Sequence, residues 1–174
     1  MKNNYEIVQY SNRHRKSCIE LLNKIYPAED NEKAFVWRYE RECVNKPIIV
    51  LALNDDEVVC FNAWIPWEFS FENKTYVGYQ SGKSATSIDH RRKGLWEKTM
   101  KKGEEICREW NIDFVFGFPG SMSYNTSAKV GYISMATFNH RIRLLSPFHS
   151  KNLGKAGYEL DESSIFSAAE GPYI

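Results

Sequence analysis

The sequence predicts a mixed α/β domain with a largely antiparallel central sheet flanked by helices. Three observations carry that prediction. The runs "IIVLALN", "EVVCFNAWIPWEFSF" and "TYVGYQSGKSATSI" are β-branched and aromatic, and the short polar turns between them make an antiparallel meander. The pattern from Leu95 to Trp110 then changes to a helical period. After it come an apolar strand, a short helix and a further strand. Strand, helix, strand is a crossover unit, so this half of the sheet should contain a parallel pair.

The elements follow in order. "YEIVQY" (Tyr5 to Tyr10) reads as a short strand, and Ser11 or Asn12 is the N-cap of the helix after it. Cys18, Ile19, Leu22, Ile25 and Tyr26 recur at helical spacing until Pro27 stops that helix. A second helix starts near Asp30, with Phe35, Val36, Tyr39 and Cys43 inward and Pro47 after it. Asn54-Asp55-Asp56 and Glu72-Asn73-Lys74 turn the chain between the meander strands. On the long helix Trp96, Met100, Ile106, Cys107 and Trp110 form the inner face, while Glu97 with Lys101 and Glu104 with Arg108 pair on the wet side. "IDFVFGF" is a strand that Pro119 and Gly120 end. A helix from Ser121 to Val130 closes at Gly131, before a strand "YISMATFNHRIRLL".

A chain of 174 residues is most simply one domain, here residues 1–147 with an irregular tail over 148–174. The 23 basic and 22 acidic side chains nearly cancel, so no global field calls for nucleic acid or an anionic membrane, and any anion site is local. Cys18, Cys43, Cys60 and Cys107 are scattered, which fits free thiols in a reducing compartment. The polar N-terminus and the lack of any run of ~20 apolar residues make the cytoplasm the default. His14, His140 and His149 share no metal-ligand spacing, so no metal is expected.

Two stretches could cradle phosphate. Gly82-Lys83-Ser84 ends like a nucleotide-binding P-loop, but Gly78 and Gly82 are one residue too close, and "ATSI" after them prefers a strand to the helix a P-loop enters. The plainer reading is that both glycines ease the bending of a strand. Asp89 to Lys93 is a polar turn between a strand and a strong helix, and Gly94 stands where that helix begins. The first N–H groups of a helix have no internal acceptors, and its dipole adds roughly half a positive charge there. Arg91, Arg92 and Lys93 add formal charge, so a diphosphate would be held by geometry and charge together. A solvated basic turn is the alternative, and the local sequence stands even between them.

The order of elements together with "RRKGLW" resembles the GNAT acyltransferases, whose motif is [QR]-x-x-G-x-[GA]; Arg91 and Gly94 match, and Trp96 stands where Gly or Ala is usual. From about Asn31 to Pro147 the chain is most similar to bacterial members associated with surface-polysaccharide genes, through Trp37-Arg38-Tyr39, "FNAWIPWEF", "YQSGKSATSIDHRRKGLW", "DFVFGFPGSMSY" and "KVGY". It departs from them at Ile88, Arg92 and Gly120, where Pro, Gly and Asn are common.

The resemblance implies a GNAT-type fold, its sheet splayed between strands 4 and 5, and acetyl-CoA or another acyl-CoA as co-substrate. It implies acyl transfer to the primary amine of a small acceptor, an amino sugar or sugar nucleotide, by a monomer or homodimer. The CoA pyrophosphate would sit on the amides of Arg91, Arg92, Lys93, Gly94, Leu95 and Trp96. The pantetheine arm would lie along Ser84, Ala85 and Thr86, with the Ser84 N–H polarising the thioester carbonyl. Tyr124, with Ser123 second, is the candidate acid for the leaving thiolate; Glu68, Asp89 and His90 are candidate bases. For Tyr124 the alternative is a ring packing the sheet's edge. Trp37, Trp64 and Trp67 either wall an acceptor cleft or belong to the core. Two rival functions remain: a CoA-binding or interaction module without catalysis, and a nucleotide-binding protein using Gly82-Lys83-Ser84.

Overall fold

Among the described residues, five strands form one sheet in chain order: β1 Tyr5–Gln9, β2 Ile48–Asn54, β3 Glu57–Phe71, β4 Lys74–Thr86 and β5 Phe114–Gly117. The computed structural model describes residues 4–26, 31–41 and 45–134. β1 to β4 pair antiparallel, so the expected meander is present, and β5 lies parallel to β4 across the long helix between them; the parallel partner expected after the short helix falls on residues that are not in a strand or lie outside the described residues. The hairpins turn at Asp55-Asp56 and Glu72-Asn73, all four with positive φ, as two-residue hairpin turns require. The parallel step needs a crossover, and the helix between β4 and β5 supplies it.

The helices are α1 Arg15–Ile25, α2 Glu32–Tyr39, α3 Leu95–Glu109 and α4 Ser121–Lys129. A 3-10 turn, Asn12–His14, leads from Ser11 into α1. Asn31 caps α2 by accepting the Ala34 N–H at 2.9 Å. Arg15 bonds Glu40 at 2.7 Å and Glu32 at 2.9 Å, tying α1 to both ends of α2. None of these helices is long and apolar enough to cross a membrane. The expected start of α2 at Asp30, its inner residue Cys43, most of the strand after Tyr132 and the tail over 148–174 lie outside the described residues. Tyr132, Ile133 and Ser134 themselves are not in a strand.

β2 is buried from Ile48 to Leu53 because helices cover both its faces, which is why that stretch reads as an unbroken apolar run. Ile49, Leu51 and Leu53 meet Cys18, Leu22, Phe35 and Tyr39 of α1 and α2. Ile48 and Val50 alternate to the other side, against Trp64, Met100, Ile106 and Cys107. On that side α3 fits closely: a Cβ on Gly103 would fall 2.0 Å from the Trp64 ring. The expected pairs Glu97–Lys101 and Glu104–Arg108 are formed at 2.8 and 3.7 Å. Trp110 does not join the inner face; it caps α3 at its C-terminus and stands exposed.

Candidate functional site

The site is built on β4. Asn62 pairs with Ser84 and Trp64 with Ser81, so Gly82 and Lys83 together oppose Ala63 in a β-bulge. Gly82-Lys83-Ser84 therefore runs inside a strand rather than turning into a helix, and the P-loop reading fails on that geometry. Gly78 lies within the strand as well. It makes room, since a Cβ there would fall 2.4 Å from the Phe114 ring.

β5 pairs with β4 only from Gly78 opposite Phe114 to Ser81 opposite Gly117, while β4 runs on to Thr86. β5 ends at that point, so beyond Ser81 this edge of β4 has no strand beside it among the described residues. The Ser87 N–H donates to the Val59 carbonyl at 2.9 Å, which sets the alternation: main-chain groups of residues 85 and 87 face β3, and those of 84 and 86 face away from it. Two side-chain bonds agree. The Tyr26 hydroxyl donates to the Ser84 carbonyl at 2.7 Å, and Arg91 Nε donates to the Thr86 carbonyl at 3.4 Å. Ser84 and Thr86 thus present their amides to the open edge, whereas Ala85 turns its main chain to β3 and its side chain into the core beneath α1.

The basic loop follows directly. Ile88–His90 form a 3-10 turn in which the Arg91 N–H bonds the Ile88 carbonyl at 3.3 Å, so that amide is already engaged. Arg92 (φ 60) and Gly94 (φ 71) are both left-handed, and Arg91 through Gly94 are exposed. The first intrahelical bond of α3 runs from the Lys98 N–H to the Gly94 carbonyl at 3.1 Å. Leu95, Trp96 and Glu97 are thus the leading N–H donors of the helix, and Gly94 has no side chain to cap them. Trp96 does not plug this end; its ring packs against the buried residues beneath α3. Tyr5 of β1 braces the loop, with its hydroxyl 2.9 Å from His90 Nδ1 and its ring 5.7 Å from Lys93 Nζ. Fixed dipoles and cations together suit a diphosphate.

On the α1–α2 side of β4 lies an open cavity of about 520 Å³, lined by Tyr26, Arg38, Tyr39, Ile65, Gln80, Gly82 and Lys83. Lys83 Nζ stands 4.7 Å from the Tyr26 ring centroid. Sequence reasoning missed Tyr26, which borders this cavity and also bonds the open edge of β4. Periodicity marked it only as an inner residue of α1, and its partner lies far along the chain.

The other candidates are dispersed. Tyr124 is half-exposed in the first turn of α4, its N–H bonded to the Gly120 carbonyl at 3.0 Å. Ser123 donates its hydroxyl to the same carbonyl at 3.2 Å. Glu68 is exposed on β3 and, by strand alternation, shares the face of Trp64, opposite Ile65 and the cavity. Asp89 is exposed, and His90 is engaged with Tyr5. Trp64 is fully buried, whereas Trp37 and Trp67 are 64% and 50% exposed. Burial pushes the Cys107 thiol up to about 11, with Glu104 adding to it, as suits a core thiol rather than a nucleophile. Tyr132, of the "KVGY" run, turns a buried hydroxyl toward Ser81 and Trp64, and burial raises its pKa.

A family model described as "Acetyltransferase (GNAT) domain" matches residues 6–134. No curated protein matches the chain. Among solved structures, it is similar to glucosamine-6-phosphate N-acetyltransferase from Arabidopsis thaliana at 14% identity and a TM-score of 0.65, covering 80% of this chain and 98% of that one. It is also similar to an aminoglycoside acetyltransferase from an uncultured soil metagenomic sample, in complex with sisomicin, at 12% identity and a TM-score of 0.63, covering 82% and 97%. A third is a predicted acetyltransferase with acetyl-CoA from Clostridium acetobutylicum, at 12% identity and a TM-score of 0.66, covering 80% and 96%. At such identities the similarity is one of fold.

Proposed function

Because this chain belongs to the GNAT acetyltransferase family, we propose that it moves an acetyl group from acetyl-CoA to the primary amine of a small molecule by direct attack. One observation carries the reading: β5 ends opposite Ser81 while β4 runs on, and Ser84 and Thr86 then turn their N–H groups to the open edge beside the cavity. The pyrophosphate would rest on the amides of Leu95, Trp96 and Glu97, among the charges of Arg91, Arg92 and Lys93. The pantetheine arm would lie along Ser84 and Thr86, with the Ser84 N–H on the thioester carbonyl, an oxyanion-type contact of ~3 kcal/mol when well aimed.

The amine nitrogen attacks the acyl carbon, the C–S bond breaks, the amine gives up a proton and the thiolate takes one. Tyr124, then Ser123, remain the proposed acids. Glu68 is the proposed base, although it stands on the face of β3 opposite the cavity. The proposed acceptor is an amino sugar or sugar nucleotide, following the resemblance to polysaccharide-associated members. Trp67 supports it, being half-exposed two residues beyond Ile65 on the same face of β3, where a ring can stack on a sugar. The proposed setting is the cytoplasm, which the free thiols of Cys18, Cys60 and Cys107 suit, and the proposed state is a monomer or homodimer.

A second reading, a CoA-binding module without catalysis, draws on engaged groups: the carbonyls of Ser84 and Thr86 and the amide of Arg91 already have partners. Calorimetry with acetyl-CoA and with ATP, followed by a free-thiol assay over amino sugars, amino acids and polyamines, separates the cases. The expected result is acetyl-CoA binding, no ATP binding, and thiol release with at least one amine. Binding of acetyl-CoA without release on any amine would leave the module reading standing instead.

A further inference from the structure

We infer that Asn62 and Thr99 are positioning residues of the acetyl-CoA site, holding the first turn of α3 in fixed register with the open edge of β4; this rests on the acetyl-CoA reading above. A helix start that is to take an anion cannot also be capped by its own side chain, and Gly94 at the N-cap of α3 offers none. Uncapped first turns fray. What fixes this one lies beneath it. The fully buried Thr99 hydroxyl donates to the Leu95 and Trp96 carbonyls at 3.0 and 2.9 Å, and it accepts the Asn62 side-chain N–H at 2.6 Å. Cys60 Sγ stands 3.7 Å from Thr99 Oγ1 and 3.3 Å from Thr86 Oγ1. Asn62 and Cys60 lie opposite Ser84 and Thr86, the two residues whose amides face the open edge. One run of polar contacts therefore joins the helix start to the strand edge, the two ends of the proposed acetyl-CoA site.

Stability does not account for polar side chains here. Both residues are buried between sheet and helix, where a pair of apolar side chains of similar shape would serve nearly as well. The Asn62 Oδ1 has no hydrogen-bond partner among the described residues, which costs the folded state rather than helping it. What a polar pair adds is direction. Met100, Ile106 and Cys107 hold α3 on the sheet, but apolar contact is non-directional. The Asn62–Thr99 bond sets where along the sheet the first turn stands. A shift of about 1 Å is enough to spoil donors aimed at a fixed anion.

The test compares acetyl-CoA affinity by calorimetry with the urea midpoint, using the full chain as wild type, as the double variant Asn62→Val with Thr99→Val, and as Thr99→Ser. Making both partners apolar removes the bond without stranding a donor, so the midpoint of the double variant should stay close to wild type. Its affinity should fall by about tenfold or more, seen also as a raised KM for acetyl-CoA with KM for the amine unchanged. Thr99→Ser keeps the hydroxyl and should bind within about twofold of wild type, although the lost methyl lowers its midpoint. A double variant that binds like wild type overturns the inference, as does a Thr99→Ser that loses as much as the double. Should the double variant lose stability too, Ile49→Val, on the α1–α2 side of β2, shows what stability alone does to affinity; a matching loss there also overturns it. Should wild type bind no acetyl-CoA, amide exchange still reads the pair. Exchange at Lys98, Thr99 and Met100 quickened about tenfold in the double variant, with Ile106 and Cys107 unchanged, upholds it. Equal rates in both proteins sink it, separately from the acetyl-CoA reading.

Discussion

Gly103 shows how far a single position can be constrained by its neighbour. It lies in the middle of α3, where glycine costs about 1 kcal/mol of helix propensity against alanine. An exposed site would repay Gly→Ala with that amount. Here the new Cβ would fall 2.0 Å from the ring of Trp64, which is fully buried and has no room to withdraw. Overpacking of this kind costs about 1–3 kcal/mol, and an overlap this deep belongs at the upper end. The strain outweighs the propensity gain. Gly103→Ala should therefore lower the urea midpoint, with a net loss of about 1–2 kcal/mol, and change the fluorescence of the folded state through Trp64. An unchanged midpoint would mean that α3 can lift off the sheet at little cost.

At the scale of elements, the loop that opens α3 is held in an uncommon backbone conformation. Arg92 and Gly94 both have positive φ, a conformation that costs a residue with a Cβ about 1–2 kcal/mol. Nothing lies within 4 Å of the Cβ position at Gly94, so Gly94→Ala should cost about 1 kcal/mol of stability from the backbone alone. Arg92→Gly should do the reverse for stability, raising it by up to about 1 kcal/mol. It should nonetheless weaken acetyl-CoA binding and flatten its salt dependence, because a charge beside the helix start is lost. Calorimetry at two ionic strengths and a denaturation curve read both; a variant that binds as tightly as wild type removes Arg92 from the site. This loop was legible in the sequence because its signal is local: a polar basic turn, then glycine, then a helical period. The strand limits were legible for the same reason, since "IIVLALN" and "EVVCFNAWIPWEFSF" end at turn residues and match β2 and β3 as built. The bulge at Gly82-Lys83 and the Tyr26 bond to Ser84 were not legible. Both depend on partners in other elements, and periodicity along one segment holds no record of register against another. Trp110 was misplaced for a related reason: its spacing fits the helix face, but α3 ends before it.

For the whole molecule, acid stability should be governed first by His14. It is buried between β1 and α1, its ring 6.2 Å from that of Tyr10, and its Nδ1 accepts the Ser11 N–H at 3.0 Å, which only the neutral imidazole can do. Burial lowers its pKa below the usual 6.5, the charge of Arg13 adds to that, and Asp56 and Glu6 oppose it in part. The unfolded chain then binds a proton in a window where the native state does not, so stability rises with pH across it. The contribution is complete above about 6.5 and is lost as pH falls through the folded pKa. Glu40 acts with the same sign further down. Burial alone would raise its pKa, but the Arg15 and Tyr10 hydrogen bonds outweigh it and hold the carboxylate below its ordinary value, so its stabilisation goes only under stronger acid. Glu104 works the other way: burial raises its pKa above 4.5, and the native state gains from its protonation as pH falls. Between about pH 7.5 and 5.5 the His14 effect leads, because that window begins at the histidine range rather than the carboxylate range. Denaturant midpoints across the interval should fall for wild type. In His14→Gln, whose amide oxygen can still accept from Ser11, the slope should flatten; equal slopes in both proteins would assign the acid sensitivity elsewhere.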